Sequence, residues 1–580
     1  MSLQLKRYTR CISALSLVLL LPWNIILCCG PSLSNDEDRF LLFNDAIDGN
    51  FGIKLSTYSE ALFYIDEAEN HPDFKRNCSE WKKYTNNKAS EKDIYVVQYQ
   101  TPPQLFLDAY TLNNWQGFKG NSFIQWLALK QNRTALDYMA LAKQAEAVDI
   151  LNADPWDTTV ERKKQAVMML ANLNYKRIAN APVYLQQRYA FQAIKLWYYV
   201  GADETPAMQK LQQVYLKHLE GNNTIVAAWA KIYFAMVQKD PTQTTLYLLK
   251  AFDESEEKKQ FSFLRIEKND LSALEKVTKN AYTKSLIHTM SAIKTNGRAL
   301  EHIKPVATLT PESKFLPILI GREINKLETW LSTPRILGFY DNYWDEKYNY
   351  KTTAQHQILE KKDAAYLNQF IEFLIAHNKK HSRPALQLAL VHLYNIQQNY
   401  AAARRLLDQL PVYCNKHYET QKLIEQVIVT AHIEDIGKET VKEKLAINMN
   451  RLLRLNPSFK KRLNKETYQS WEDENAERSD DISELLLILS RAYKKKGDLL
   501  TSGLLYTKAN ITTNAYDGWQ ETDIGYDHIA WYDRFAKPST IDGLLALKHT
   551  INKTAFEKLL SPSLWAKDDM YKDLKRNYVF

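Results

Sequence analysis

The chain has 580 residues, 45% of them hydrophobic and 25% charged, enough for several domains or one long repeat array. Its 16 glycines are well under half the usual share of ~7%, which speaks against Rossmann domains, P-loops and hairpin-rich sandwiches, all of which need many positive-φ positions. The net charge of +9 has both signs interspersed, and three of its positive charges are Lys6, Arg7 and Arg10 at the N-terminus, so there is no basic stripe to hold nucleic acid.

Residues 1–28 read as a signal peptide. Lys6, Arg7 and Arg10 form its basic region, and residues 12–27 form an apolar stretch interrupted by Pro22 and Asn24, short for a ~30 Å hydrocarbon core. The stretch ends Ile26-Leu27-Cys28-Cys29-Gly30, which resembles a bacterial lipobox with Cys29 as the lipidated residue, although Cys28 stands where Gly, Ala or Ser is usual. The expected address is therefore the outer membrane, lipid-anchored, on either its periplasmic or its surface face. The tether that follows carries Asp36, Glu37 and Asp38. It reads equally as a solvated spacer and as similar to surface-export signals of Bacteroidota lipoproteins. Of the five cysteines, Cys11, Cys28 and Cys29 lie in this leader, so no disulfide framework remains. Pairing of Cys78 with Cys414 stays open.

Beyond the leader the hydrophobic period is helical nearly throughout. The expected divisions are an N-terminal tether and helical region (29–120), a first helical-repeat region (121–335), an aromatic linker (336–355), a second helical-repeat region (356–510) and an aromatic-rich helical end (511–580). Residues 94–98 are the best strand-like run. Ala135, Tyr138, Met139 and Ala142 follow the i, i+3, i+4, i+7 spacing of one helix face. Asp154-Pro155, Asp240-Pro241 and Thr310-Pro311 each place an N-cap residue before a proline between periodic runs. The helical spacing returns in Leu386, Ala389, Leu390, Leu393 and Tyr394.

Two segments match the 34-residue tetratricopeptide pattern of paired helices. One runs Leu486, Leu489, Ser490, Tyr493, Gly497, Leu499, Ser502, Tyr506, Ala509, with Gly497 at the turn and Ser502 at the close helix crossing. The other runs Leu390, Tyr394, Tyr400, Ala403, Leu407, with Val391 where a small residue belongs and Gln398 where glycine does. Ala190, Ala193, Trp197 and Gly201 give a fainter echo, better read as an ordinary amphipathic hairpin. The fold class expected is all-α, an irregular α-solenoid of tetratricopeptide-like helical hairpins.

The stretch Arg322-Glu323-Ile324-Asn325-Lys326-Leu327-Glu328-Thr329-Trp330 resembles a motif of large, uncharacterised tetratricopeptide-like helical-repeat lipoproteins of Bacteroidota. Asn121-Ser122-Phe123-Ile124-Gln125-Trp126-Leu127, Leu136-Asp137-Tyr138 with Ala142-Lys143, Asp154-Pro155-Trp156 and the Cys29-Gly30-Pro31 start are similar to the same group. The resemblance covers most of the chain from about residue 29. It implies a cell-envelope helical-repeat protein that continues, in its relatives, past a segment like Asp573-Leu574, and it supplies no activity.

The catalytic and cofactor motifs GxSxG, GxxxxGK[ST], GxGxxG and HExxH do not occur in the chain. His377 and His381 share a helix face but have no third ligand at a companion spacing, and Cys414 with His417 is an isolated pair. Glu256-Glu257 and Glu472-Asp473-Glu474 read as ordinary acidic clusters. No catalytic residue, metal or cofactor is expected. The candidate ligand-binding residues are aromatic: Tyr343, Trp344 and Tyr348, within a run of six rings in residues 339–350, and Trp519 and Trp531 near the C-terminus. Rings beside Asp and Asn suit sugar faces, but the run reads better as a linker pinned by burying its rings, and the C-terminal cluster as a cap over the last repeat. The function expected is a non-catalytic binding scaffold for a protein partner. Outer-membrane glycan capture is the alternative and an enzyme of unknown type comes third. Glycan-import lipoproteins carry Asp-Leu-x-Arg-Trp, whereas Asp573-Leu574-Lys575-Arg576 is followed by Asn577 here.

Overall fold

A computed structural model describes residues 42–43, 72–147, 160–201, 205–336, 353–412, 415–455, 480–513, 532 and 534–560. Among these residues the regular structure is entirely helical. Cys29, Tyr343, Trp344, Tyr348, Trp519, Trp531, Cys414, Asp154-Pro155 and Glu472-Asp473-Glu474 lie outside them.

Helices pack chiefly on their sequence neighbours. The tightest pairs are Val160–Ile178 with Val183–Val200, Ile225–Met236 with Pro241–Glu254, Ala281–Ile293 with Leu300–Leu309, and Asp480–Lys496 with Leu499–Thr513. Each helix has an apolar stripe that one neighbour cannot cover alone, so stacking of pairs completes the burial. Two hydrophobic cores result. The first runs from Phe43 and Cys78 to Tyr418 and takes in Val429, and the second takes Leu42 and the rest of the helices from Leu423 to Leu560.

The best hairpin match has the geometry its residues call for. Gly497 sits at φ +88°, and the Asp498 amide bonds back to the Tyr493 carbonyl at 3.0 Å, closing the first helix. Ser490 donates to the Ser502 carbonyl at 2.8 Å, and the two hydroxyls lie 3.0 Å apart where the helices cross. The second hairpin, Pro384–Ile396 with Tyr400–Leu407, repeats this turn. Gln398 takes φ +63° in the glycine position, the Asn399 amide bonds to the Tyr394 carbonyl at 2.8 Å, and Asn399 then caps the next helix. Gly201 does not belong to this series. It has a negative φ, and a Cβ there would lie 3.0 Å from that of Ala207, so it provides room for a close approach of helices.

Two local expectations are corrected. Residues 94–98 are helical: Ser90 caps Glu91–Tyr95, a π turn Val96–Gln100 follows, and Ile94 and Val97 bury one helix face. Four or five alternating residues cannot separate the two periods, and the cap decides for helix. Thr310 closes Leu300–Leu309 and does not open a helix; the next helix, Phe315–Leu327, begins beyond the Pro311 turn. Asp240 does cap Pro241–Glu254, accepting from the Thr242 amide at 2.9 Å.

Phe315–Leu327, the π turn Glu328–Ser332 and the short helix Thr333–Ile336 form one rod whose apolar residues belong to the first core and whose end at Ile336 packs on the second. Every residue from Ile318 to Thr333 is buried, and the rod touches helices on both sides.

Candidate functional site

The rod is where the sequence motif beginning at Arg322 lies, and its charges complete neighbouring backbone. Arg322 donates to the Ile293 carbonyl at 3.0 Å, and Lys326 Nζ donates to the carbonyls of Thr295 and Gly297, each at 2.9 Å. These cations meet the carbonyl end of the helix Ala281–Ile293 and the loop after it. Glu323 faces the amide end of the next helix: its Oε1 accepts from the Ala299 amide at 3.0 Å and from the Tyr366 hydroxyl, and its Oε2 from Lys326 at 2.8 Å. Cation to carbonyl end and carboxylate to amide end is the arrangement that helix dipoles favour. Burial pushes the Lys326 ammonium down to about 8, against the pull of Glu323.

Glu328 opens the π turn, in which the Thr333 amide reaches back five residues to the Glu328 carbonyl. Its Oε1 accepts from the Leu42 amide at 2.7 Å, the Phe43 amide at 3.0 Å and His392 Nε2 at 2.8 Å. His392 Nδ1 donates to Glu425 Oε1 at 2.7 Å. Glu425 also accepts from Gln421 at 2.6 Å and from Asn395 Nδ2 at 2.6 Å. The three ionisable side chains are 2% exposed or less. Burial by itself would strip the proton from His392, but Glu425 and Glu328 on its two nitrogens overcome this and raise it to about 10. His392 is therefore an imidazolium at neutral pH, and both ring nitrogens donate. The cluster ties together residues 42–43, the rod, and the helices Pro384–Ile396 and Lys416–Ile433, at the boundary of the two cores.

A cavity of about 180 Å³ lies against this cluster, and the buried His392, Asn395 and Ser332 are among the residues that line it. Arg335, Gln398, Tyr400, His432 and Arg491 bring it to the surface, and aliphatic side chains line the rest. The Tyr400 and His432 rings stack 4.0 Å apart on one wall.

The motif pieces in the N-terminal half are also structural. Asn121 caps Ser122–Leu127, Asp137 accepts from Tyr110 at 2.9 Å and from Arg133 at 2.7 Å, and Lys143 bonds the carbonyls of Gln98 and Thr101 beside the first π turn. Glu256 and Glu257 present backbone amides to the buried Asp73. His377 stacks between Phe373 and His381, with His377 and His381 centroids 5.0 Å apart, and no group of three metal-ligating side chains occurs among the described residues. Tyr532 is buried in the second core, and Lys494 lies over the Phe535 ring.

Sequence reading singled out the rod but missed His392, Asn395 and Glu425. A signal existed. His392 stands inside Leu388-Ala389-Leu390-Val391-His392-Leu393 as a lone polar residue in an apolar run, and Glu425 lies with Gln426 between Leu423-Ile424 and Val427-Ile428. Such residues are buried with partners or not at all.

No helix among the described residues is long and apolar enough to cross a membrane. Neither family models, curated proteins nor solved structures give a match to this chain.

Proposed function

We propose that this chain is an exported helical-repeat lipoprotein of the cell envelope, held at the outer membrane through Cys29, that serves as a non-catalytic scaffold for a protein partner. The capture of Leu42 and Phe43 on Glu328 supports the anchored arrangement. Twelve residues, 30–41, lie between Cys29 and Leu42, and the thirteen Cα–Cα steps give a reach of at most about 45 Å when fully extended. A lipid on Cys29 would hold the junction of the two cores within that distance of the bilayer. Stacked helix pairs leave long lateral surfaces, which suit a protein partner and need no catalytic groups. The Arg322–Trp330 resemblance to envelope lipoproteins agrees with this address.

Metabolic labelling with radioactive palmitate tests the anchor. The wild-type protein takes up label and sediments with membranes, and Cys29→Ser does neither. An unlabelled wild-type protein, or a Cys29→Ser protein still bound to membranes, would refute it. Cross-linking in intact envelopes tests the scaffold role, which requires one stoichiometric protein adduct and fails if none forms.

A further inference from the structure

Two histidines on paired helices turn one nitrogen each toward a common point. His288 lies in Ala281–Ile293, and His302 lies in the first turn of its partner helix Leu300–Leu309. Their Nδ1 atoms are 3.5 Å apart, with the ring planes tilted by 35°. Each of the other two nitrogens stands beside a carboxylate. His288 Nε2 is 3.3 Å from Glu275 Oε1 on the preceding helix Lys268–Val277, and His302 Nε2 is 3.7 Å from Glu301 Oε1. Burial pushes His288 down, and His302 and Lys284 add to this against the pull of Glu275, so the ring is uncharged at neutral pH.

A carboxylate beside Nε2 draws the ring proton to that nitrogen, because an N–H and not a lone pair is stable against a negative charge. Both Nδ1 atoms then turn bare lone pairs toward each other. A proton between them fits poorly: ordinary N–H donors lie about 2.7–3.2 Å from their acceptors, and in an uncharged pair such a proton would leave one Nε2 lone pair facing a carboxylate. A metal ion suits all four nitrogens. Zinc binds imidazole nitrogen at about 2.0–2.1 Å, which sets two ligands of a tetrahedron about 3.3 Å apart. A carboxylate at the far nitrogen is the common partner of a metal-bound histidine. We propose that His288 Nδ1 and His302 Nδ1 bind one zinc ion, with water in its two remaining positions and Glu275 and Glu301 facing the far ring protons. The two side chains are 16% and 29% exposed, so the ion and its waters have access. Zinc here clips together two helices whose connecting loop the rod holds through Arg322, Lys326 and Glu323. With half the protein ligands of a structural site, the dissociation constant falls on the order of 10–100 µM. The site stands independently of the scaffold reading.

Histidine modification of the full-length protein by diethyl pyrocarbonate, with and without zinc chloride and mapped by mass spectrometry, tests the inference. Zinc occupies the one reactive lone pair of each ring, so it protects His288 and His302 together, and EDTA restores their labelling. Calorimetric titration with zinc chloride gives the second measurement. His288→Asn and His302→Asn each weaken zinc binding at this site at least tenfold, since each removes one of its two protein ligands. The labelling experiment uses only wild-type protein, so the outcome does not depend on how a variant folds. Zinc that leaves either ring as reactive as before, a titration without binding heat, or binding undiminished in either variant would overturn the site. Each of those results leaves the palmitate and cross-linking tests standing.

Discussion

Replacing His392 by glutamine is the most informative perturbation of this fold. It removes the positive charge and leaves Glu328 and Glu425, whose side chains are fully buried, facing each other across the space it held. Breaking a buried ion pair by removing one partner costs about 3–5 kcal/mol, because the remaining charge is uncompensated. In a cooperative unit of 150–250 residues that lowers the melting temperature by roughly 6–20 °C. Changing Glu328 and Glu425 to glutamine as well should restore most of the loss, since amides can still accept from Leu42 and Phe43 and no charge remains buried. The pH dependence has a definite sign. His392 is raised from 6.5 unfolded to about 10 folded, so its contribution is complete below pH 6.5 and disappears as pH rises through 10. Lys326 and Lys508, both pushed down to about 8, act oppositely between pH 8 and 10.5. The quantity to follow is therefore the difference between wild type and His392→Gln. Urea unfolding followed by circular dichroism, with hydrogen exchange at the Leu42 and Phe43 amides to identify the junction's transition, measures it. A loss under about 1 kcal/mol, or a difference unchanged from pH 6.5 to 10, would refute the charged-junction account.

Ser502→Trp should overpack the crossing at which Ser490 and Ser502 meet, destabilising the second core by about 1–3 kcal/mol or more; thermal unfolding as in wild type would show that the crossing tolerates bulk. Gln398→Gly should leave stability unchanged or raise it by up to about 1 kcal/mol, because the left-handed φ there costs glutamine more than glycine, and a clear loss in urea titration would contradict the turn assignment. Cys78 is buried and its thiol is pushed up to about 12, chiefly by desolvation, so iodoacetamide at neutral pH should modify it only after unfolding. Peptide mapping by mass spectrometry reads the result, and rapid native labelling would disprove the burial.

The all-α class and the helical hairpin at Gly497 and Ser502 were legible in the sequence, whereas Arg322–Trp330 stood out only as a motif and its buried rod did not. The class and the hairpin depend on local quantities: hydrophobic period, caps, and a glycine where φ is positive. The Gln398 turn was legible only as a mismatch. Its neighbours Tyr394 and Asn399 impose the left-handed turn on a residue that does not favour it. The purpose of the rod's charges was not legible, because Arg322, Glu323 and Lys326 take meaning from backbone groups of residues 293–299 that helix packing brings beside them. The junction cluster was still further from view. Glu328 meets an amide 286 residues away at Leu42 and His392 lies 64 residues off, while Glu425 is another 33 beyond His392. Sequence spacing carries no period for such contacts. A polar residue set in an apolar run, such as His392, announces that a partner must exist, since an unpaired buried charge is too costly; only the packing of the helices decides which partner it is.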